Sequence, residues 1–473
     1  MPNRKDLLQA HRLMTQRAAL ALIVGDPDSP DQPLRRRTTL AVCGILAGVI
    51  AAAGFGVLGL LSPGTVTGLT TAGTLVIDKN TATPYVPCHG KELCPSLNYA
   101  SALLALDTAN VNEVDVTQST LSHYQIGPTI GIAGLPQDLP TSGDLVRGPW
   151  AVCAANGVST LVGGVSVGGT PLRAGSAALV TTKTGGNWVS GGDWVLWHGE
   201  RLSIAPTMML SLFGGSVTPT SVPTAWLDSL PQGPNFSAPK IQGQGGAANG
   251  PAGAARIGQV YEVPGAAGTP TQYYVVAADG KLETVTPVQA DLLDREPGAN
   301  KLTQISPATA AGDLAGVSLP PGGLPATVPA IAATSSPVCV EYGAGLNHSI
   351  TTGGTVPSGA VPVTGGSGGS GSSGGSSNAT TSATDAVGVD QVWLPADHGA
   401  LVGVAASPNS TSGVASWFLV TGATRYALAS PSLAAALGYN LSADDTLLPA
   451  SVVDLLPQGP VLDPAAATDQ AAG

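Results

Sequence analysis

Charge is scarce in this chain. Asp, Glu, Lys and Arg make up 10% of its 473 residues and aromatics 4%, and the net charge is −11. That balance argues against nucleic acid as a partner, since phosphate binding needs a basic surface. No G-x4-G-K-[ST] phosphate loop occurs, so nucleotide hydrolysis lacks its usual cradle. The six histidines (His11, His89, His123, His198, His348, His398) are scattered, with no H-x3-H or H-E-x-x-H arrangement to hold a metal. No carboxylates pair in an identifiable environment, and Asp444-Asp445 looks like a solvated turn. No catalytic residue, metal ligand or cofactor site is assigned on these grounds.

Two weak motifs remain. Gly243-Gln244-Gly245-Gly246-Ala247-Ala248 is a loose G-x-G-x-x-A, but it follows a polar segment and opens into Gly250-Pro251, not a helix. Gly164-Val165-Ser166-Val167-Gly168 matches a nucleophile elbow formally, with Asp397-His398 able to complete a triad on paper. Gly169-Thr170-Pro171 follows it and starts no stable helix, which that motif requires.

What is abundant is Gly (63) and Pro (39), a composition of turns and short strands. One run stands apart. Thr38 to Leu61 is 24 residues without a charge, preceded by Arg35-Arg36-Arg37 and followed by Ser62-Pro63. As a helix it spans roughly 36 Å, enough to cross a bilayer core of about 30 Å. A buried core helix is the alternative, but three arginines at one end only are hard to reconcile with it. Of 19 basic and 30 acidic residues, seven basic and four acidic lie in the first 37 residues, leaving 12 and 26 beyond the run. Positive residues stay cytoplasmic. The chain is therefore expected to be a single-pass membrane protein with its amino end inside and the larger part outside. Gly44, Gly48, Ala52 and Gly56 recur every four residues along the span, a ridge suited to a helix–helix contact, although Gly and Ala are common in spans generally.

Residues 1–37 form a cytoplasmic segment, with a loosely amphipathic helix over 3–24 that Asn3 can cap and a basic stop. Residues 38–61 form the transmembrane helix. Residues 62–463 form an external α+β, β-rich domain. Within it, hairpins are expected near 73–86, 193–204, 272–285 and 416–428, each a hydrophobic strand, a polar turn and a second strand. Leu-Pro-Gln-Gly-Pro occurs at 230–234 and again at 456–460, the sign of an internal duplication. The aromatics Trp194, Trp197, Tyr273, Tyr274, Trp417 and Phe418 either fill hairpin cores or offer contact surfaces. Residues 364–384 are nearly pure Gly and Ser, a flexible segment, and 464–473 are Ala-rich, a loose tail.

Cys43 lies inside the span as a packing residue. Cys88, Cys94, Cys153 and Cys339 lie outside, an even number suited to an oxidising compartment. Cys88 and Cys94 sit close together among turn residues and are paired with each other, and Cys153 with Cys339. A metal site is the competing idea, poorly matched by Cys88-x5-Cys94 with a lone His89.

Several blocks carry a resemblance. Gln9 to Leu22 precedes the basic stop and a span ending Leu60-Leu61-Ser62-Pro63-Gly64. Leu93-Cys94-Pro95-Ser96-Leu97-Asn98-Tyr99-Ala100-Ser101-Ala102, Ile130-Gly131-Ile132-Ala133-Gly134-Leu135-Pro136, Trp150-Ala151-Val152-Cys153, Pro337-Val338-Cys339-Val340, Leu437-Gly438-Tyr439 and Leu456 to Pro464 follow. Together they resemble the EccB family, a membrane component of the type VII (ESX-type) secretion system of actinobacteria. Cys88, Cys94 and the Gly/Ser segment fall outside the family's pattern.

The resemblance implies a structural and assembly subunit in the inner membrane, its periplasmic part built from a central core and four repeats. It implies assembly with an EccC-type motor ATPase, EccD and EccE into hexameric machinery, with a mycosin protease beside the external part. Some members of the family are labelled ATPases. Two other classes stay open: a nucleotide hydrolase associated with secretion, and a cell-wall-binding module.

Overall fold

An apolar helix that its own chain leaves bare is the first structural feature. The computed structural model describes residues 4–24, 33–61, 68–182, 192–215, 217–265, 268–299, 301–343, 346–363, 388–407, 410–442 and 445–471. It divides into two units, residues 1–68 and 69–473. The smaller holds helices Arg4–Val24 and Pro33–Leu61. Asn3, the expected cap of the first helix, lies outside the described residues. The second helix begins at Pro33, so its first turns take in the three arginines. Proline suits that position because the N–H it lacks has no intrahelical partner there. Residues Thr39–Val57 are long and apolar enough to cross a membrane. Leu40, Ile45, Val49, Ile50 and Phe55 are each more than half exposed. Such a surface is costly in water and needs lipid or other helices around it.

The larger unit contains four sheets with one connectivity. In the first module, strands Thr74–Asp78, Pro84–Pro87 and Glu92–Pro95 form an antiparallel meander, helix Tyr99–Leu106 crosses over, and strand Asn112–Val116 returns parallel to the first strand. The second module uses Ser176–Thr182, Asp193–Trp197 and Glu200–Ile204, helix Pro206–Phe213 and strand Thr220–Val222. The third uses Val260–Val263, Gln272–Val276 and Leu282–Val285, helix Pro287–Asp294 and strand Thr303–Gln304. The fourth uses Gly399–Ser407, Ser410–Thr421 and Thr424–Ala427, helix Leu433–Ala436 and strand Asp445–Leu448. Each expected hairpin falls inside one of these sheets. A crossover is what a parallel return needs, since a tight turn joins only antiparallel strands. Asp445, expected in a solvated turn, instead opens that returning strand opposite Leu401.

Local chemistry starts the helices. Asn98 caps Tyr99–Leu106 by accepting the Ser101 N–H at 2.8 Å. Thr286 and Gln289 form a capping box, and Pro206, Pro287, Pro307 and Pro464 sit in the first turns of their helices, which gives part of the proline content its purpose.

Between the modules lies a seven-stranded sheet in the order Val361–Pro362, Gln391–Trp393, Val158–Gly163, Trp150–Ala155, Val338–Tyr342, His348–Thr352, Thr170–Pro171. Alternation along Trp150–Ala155 divides its two faces. Val152 and Ala154 join an apolar cluster with the second and fourth modules, through Trp226, Leu227, Val402, Val420 and Val452. Ala151 and Cys153 point to the other face with Cys339, Val162 and Val167. The first and fourth modules share a cluster of their own that includes Leu75, Leu104, Leu401 and Leu433. The second and third share another, including Leu179, Leu202, Val288 and Leu292.

The segment 364–384 lies outside the described residues. The expectation of a loose tail is corrected over its described part. Asp463 caps helix Pro464–Thr468, Ala467 is fully buried, and Gln470 pairs with Ile130 of the first module. The alanines that made the tail look structureless are small because the helix packs closely on Tyr99–Leu106.

Candidate functional site

The hydrolase candidates do not assemble. Ser166 lies exposed in the loop between strands Val158–Gly163 and Thr170–Pro171, and its Oγ accepts the Gly168 N–H at 3.3 Å. His398 is held by its own loop, Nδ1 lying 2.7 Å from the Ala396 carbonyl. The cavity around Asp397 and His398 is lined by residues such as Asp138, Thr141, Leu394 and Thr421, without Ser166. The loose G-x-G-x-x-A segment runs into strand Ala247–Gly250 of a two-stranded hairpin, and the Arg256 guanidinium donates to the Gly245 carbonyl at 2.8 Å. The adjoining cavity of about 190 Å³ is smaller than the several hundred a drug-sized ligand fills. Among the described residues no three His, Cys, Asp or Glu side chains gather as metal ligands.

The hairpin aromatics are packing residues. Trp194 and Phe418 lie against the central cluster, Trp197, Trp417 and Tyr273 against the clusters between or within modules, and Tyr274 is 6% exposed. Both expected bridges are formed, Cys88 to Cys94 and Cys153 to Cys339. The span residues Gly44, Gly48, Ala52 and Gly56 are all exposed on the membrane helix.

What the chain does build is a doubled junction. Arg201 stands at the start of the third strand of the second module. Its guanidinium pairs with Asp228 and lies 5.5 Å from the Trp194 ring centroid. In the fourth module Arg425 pairs with Asp454 and lies 5.2 Å from the Phe418 centroid. The repeated Leu-Pro-Gln-Gly-Pro runs beside each arginine as an extra parallel edge. Arg201 N–H donates to the Pro231 carbonyl at 3.0 Å and Gly233 N–H to the Arg201 carbonyl at 3.0 Å; the matching bonds of Arg425 with Pro457 and Gly459 are 3.0 and 2.9 Å. The close approach is tightest in the second copy: a Cβ on Gly459 would lie 2.4 Å from Tyr426 Cε1, whereas one on Gly233 would meet the tip of the Glu200 carboxylate at 2.6 Å, which can swing aside.

The two copies meet at one atom. The Ser229 carbonyl accepts both the Tyr342 hydroxyl, from the central sheet, and the Ser451 hydroxyl at 3.0 Å, from the fourth module. Burial pushes the Tyr342 pKa well above the ordinary tyrosine value, so the neutral, donating hydroxyl persists through neutral pH and is lost only under strongly alkaline conditions. The sequence repeat flagged both copies, but not their meeting point, because Ser229, Tyr342 and Ser451 share no local pattern.

Gly459→Ala tests the close approach. The tyrosine ring has to move aside, at about 1–3 kcal/mol. Gly215→Ala, where an added Cβ meets nothing within 4 Å, is the control. Thermal unfolding should show a clear loss for the first and little change for the second; equal midpoints would refute the steric argument.

The comparisons with known proteins cover the whole arrangement. The family model described as "Type VII secretion system ESX-1, transport TM domain B" matches residues 1–472. A protein named ESX-5 secretion system ATPase EccB5, from Mycobacterium tuberculosis (strain ATCC 25618 / H37Rv), is 28% identical over 478 residues, 96% of this chain and 90% of its own length. ESX-2 secretion system ATPase EccB2 of the same strain is 30% identical over 275 residues, 55% of this chain and 52% of its own. Among solved structures, a chain of an intact ESX-5 inner membrane complex is similar, with TM-score 0.59, 25% identity, and coverage of 100% of this chain and 96% of that one. A chain of an EccB3 dimer from the ESX-3 core complex has the same fold, with TM-score 0.59, 22% identity, and coverage of 84% and 99%.

Proposed function

The chain belongs to the EccB family of type VII secretion systems, and on that premise we propose that it anchors a periplasmic scaffold that oligomerises around the export channel. The observation that carries this reading is the pairing of one bare apolar helix with a large body held together by repeated interlocking modules. Chemistry needs a convergent polar pocket; a scaffold needs rigidity and surfaces, and that is what the residues supply. The arginine excess before the span supports an amino end in the cytoplasm and residues 69–473 in the periplasm. The partners are those the family resemblance implies: an EccC-type motor ATPase, EccD, EccE and a mycosin protease, in a hexameric assembly. Mild-detergent extraction and mass measurement of the intact complex tests this; a chain that elutes alone and monomeric would overturn it.

The names of the relatives carry the word ATPase, which favours a second reading. Against it stand the lack of a phosphate-loop sequence and the setting of Gly243–Ala248, an exposed turn that runs into a strand and not into a helix. Purified residues 64–473 should show no saturable ATP binding, and saturable binding with hydrolysis would establish the second reading instead.

The ridge of Gly44, Gly48, Ala52 and Gly56 serves helix–helix contact inside the assembly. Gly48→Leu should weaken that contact by about 1 kcal/mol or more, because close approach of the backbones is lost. Cross-linking yield in membranes reads it, and an unchanged yield removes the ridge from the account.

A further inference from the structure

Cys88 and Cys94 occupy a different setting from the other bridge. Cys88 follows strand Pro84–Pro87 and is half-buried; Cys94 lies within Glu92–Pro95 and is 1% exposed. Cys153 and Cys339 are both fully buried on adjacent strands in the central sheet. The Cys88–Cys94 bridge lies in the wall of an open cavity of about 650 Å³. The cavity is walled on the other side by Thr468, Asp469 and Gln470 of the carboxyl-terminal segment, with Pro128 and Ile130 between.

Those intervening residues tie the bridge to the tail. Gly127 lies flat on the sulfurs: a Cβ there would be 2.6 Å from Cys94 Sγ and 3.1 Å from Cys88 Sγ. Its N–H donates to the Leu93 carbonyl at 3.0 Å. Three residues on, Ile130 bridges to Ser96 on one side and Gln470 on the other. Gly131 N–H reaches the Asp469 carbonyl at 3.2 Å, and Ala471 N–H the Thr129 carbonyl at 2.9 Å. The tail is thus laid on a strip whose first residue rests on the disulfide.

We propose that Cys88–Cys94 is a reducible latch: a dithiol reductant entering the cavity opens it and releases residues 469–471 from the strip 127–131 of the first module, while helix Pro464–Thr468 stays packed on Tyr99–Leu106 and Cys153–Cys339 stays closed. One thiolate of the reductant attacks the more exposed Cys88 sulfur, the S–S bond breaks, and Cys94 leaves as thiolate and takes a proton. The second thiol of the reductant then displaces Cys88, which leaves as thiolate and is protonated. The bridge gains two electrons and two protons, and the reductant becomes a disulfide. Two thiols no longer bonded move apart to van der Waals distance, about 3.5–4 Å. Gly127 lies against both sulfurs, so as they separate its backbone shifts and the strip 127–131 moves with it.

The test uses the full-length protein in detergent, titrated with dithiothreitol. Free thiols are trapped with iodoacetamide and mapped by mass spectrometry, and hydrogen exchange is followed over residues 127–131 and 469–471. Cys88 and Cys94 should be alkylated at reductant concentrations about tenfold or more below those that open Cys153–Cys339. Exchange in both segments should then rise by about tenfold or more with the rest of the body protected. A Cys88→Ser, Cys94→Ser variant should show the same rise without reductant; should it fail to fold, the reduced wild-type protein carries the test alone. Opening of both bridges together, or a tail that keeps its protection once Cys88 and Cys94 are thiols, overturns the proposal.

Discussion

Replacing Cys153 and Cys339 together with alanine should lower the unfolding free energy of residues 64–473 by about 5 kcal/mol, the figure the chain-entropy model gives for a loop of this size. The bridge spans 186 residues of sequence, and that stretch contains the whole of the second and third modules. Untying it returns that entire length to the unfolded chain as free conformational entropy. The folded state loses less. Cys153 and Cys339 face each other across strands Trp150–Ala155 and Val338–Tyr342, which five residue pairs hold in register, so the sheet still forms without the bond. Alanine is the informative replacement, because both sulfurs are fully buried against Val162 and Val167, and a serine hydroxyl there would want a partner. Urea unfolding of the purified body gives the number. A change under about 1 kcal/mol would mean that the unfolded chain is already compact about this site, and the entropic account would fail.

How much of this was legible in the residues depends on the length scale. The four hairpins were visible because each joins a hydrophobic strand, a turn and a second strand within about a dozen residues. The returning parallel strands were not. Thr220–Val222 and Thr303–Gln304 are three and two residues long and carry no alternation to detect. Which modules pair was equally hidden: Leu179 and Leu292, or Leu75 and Leu401, are ordinary core leucines whose pattern says that they are buried and not against what. The membrane helix is plain from its uncharged run: the apolar stretch Thr39–Val57 begins within one residue of that run, while the helix itself begins earlier, at Pro33, and carries the arginines in its first turns. The tail failed for a compositional reason, since alanine is both a filler of loose segments and the residue that lets helices approach closely. The doubled Leu-Pro-Gln-Gly-Pro shows the reverse case. Its repetition was legible, but its purpose depended on arginines roughly thirty residues earlier, at a distance no local pattern reports.

The second large effect is expected at Trp226, which is fully buried in the helix Thr224–Asp228 of the second module. It belongs to the cluster that joins this module to the central sheet through Val152, Val338 and Val340 and to the fourth module through Val402 and Val452. Trp226→Ala removes that contact and leaves a cavity, for a loss of about 3–5 kcal/mol. The indole Nε1 is itself buried without a hydrogen-bond partner among the described residues. Trp226→Phe therefore keeps much of the packing while removing an unsatisfied donor worth about 1–3 kcal/mol, so the two terms offset and the net change should stay within about 1.5 kcal/mol. Urea unfolding separates the two variants. The same pair addresses assembly: if the modules must be locked to form a scaffold, Trp226→Ala should be depleted from the detergent-extracted complex while Trp226→Phe is retained. Equal incorporation of both variants would show that the lock between the second module, the central sheet and the fourth module serves stability alone.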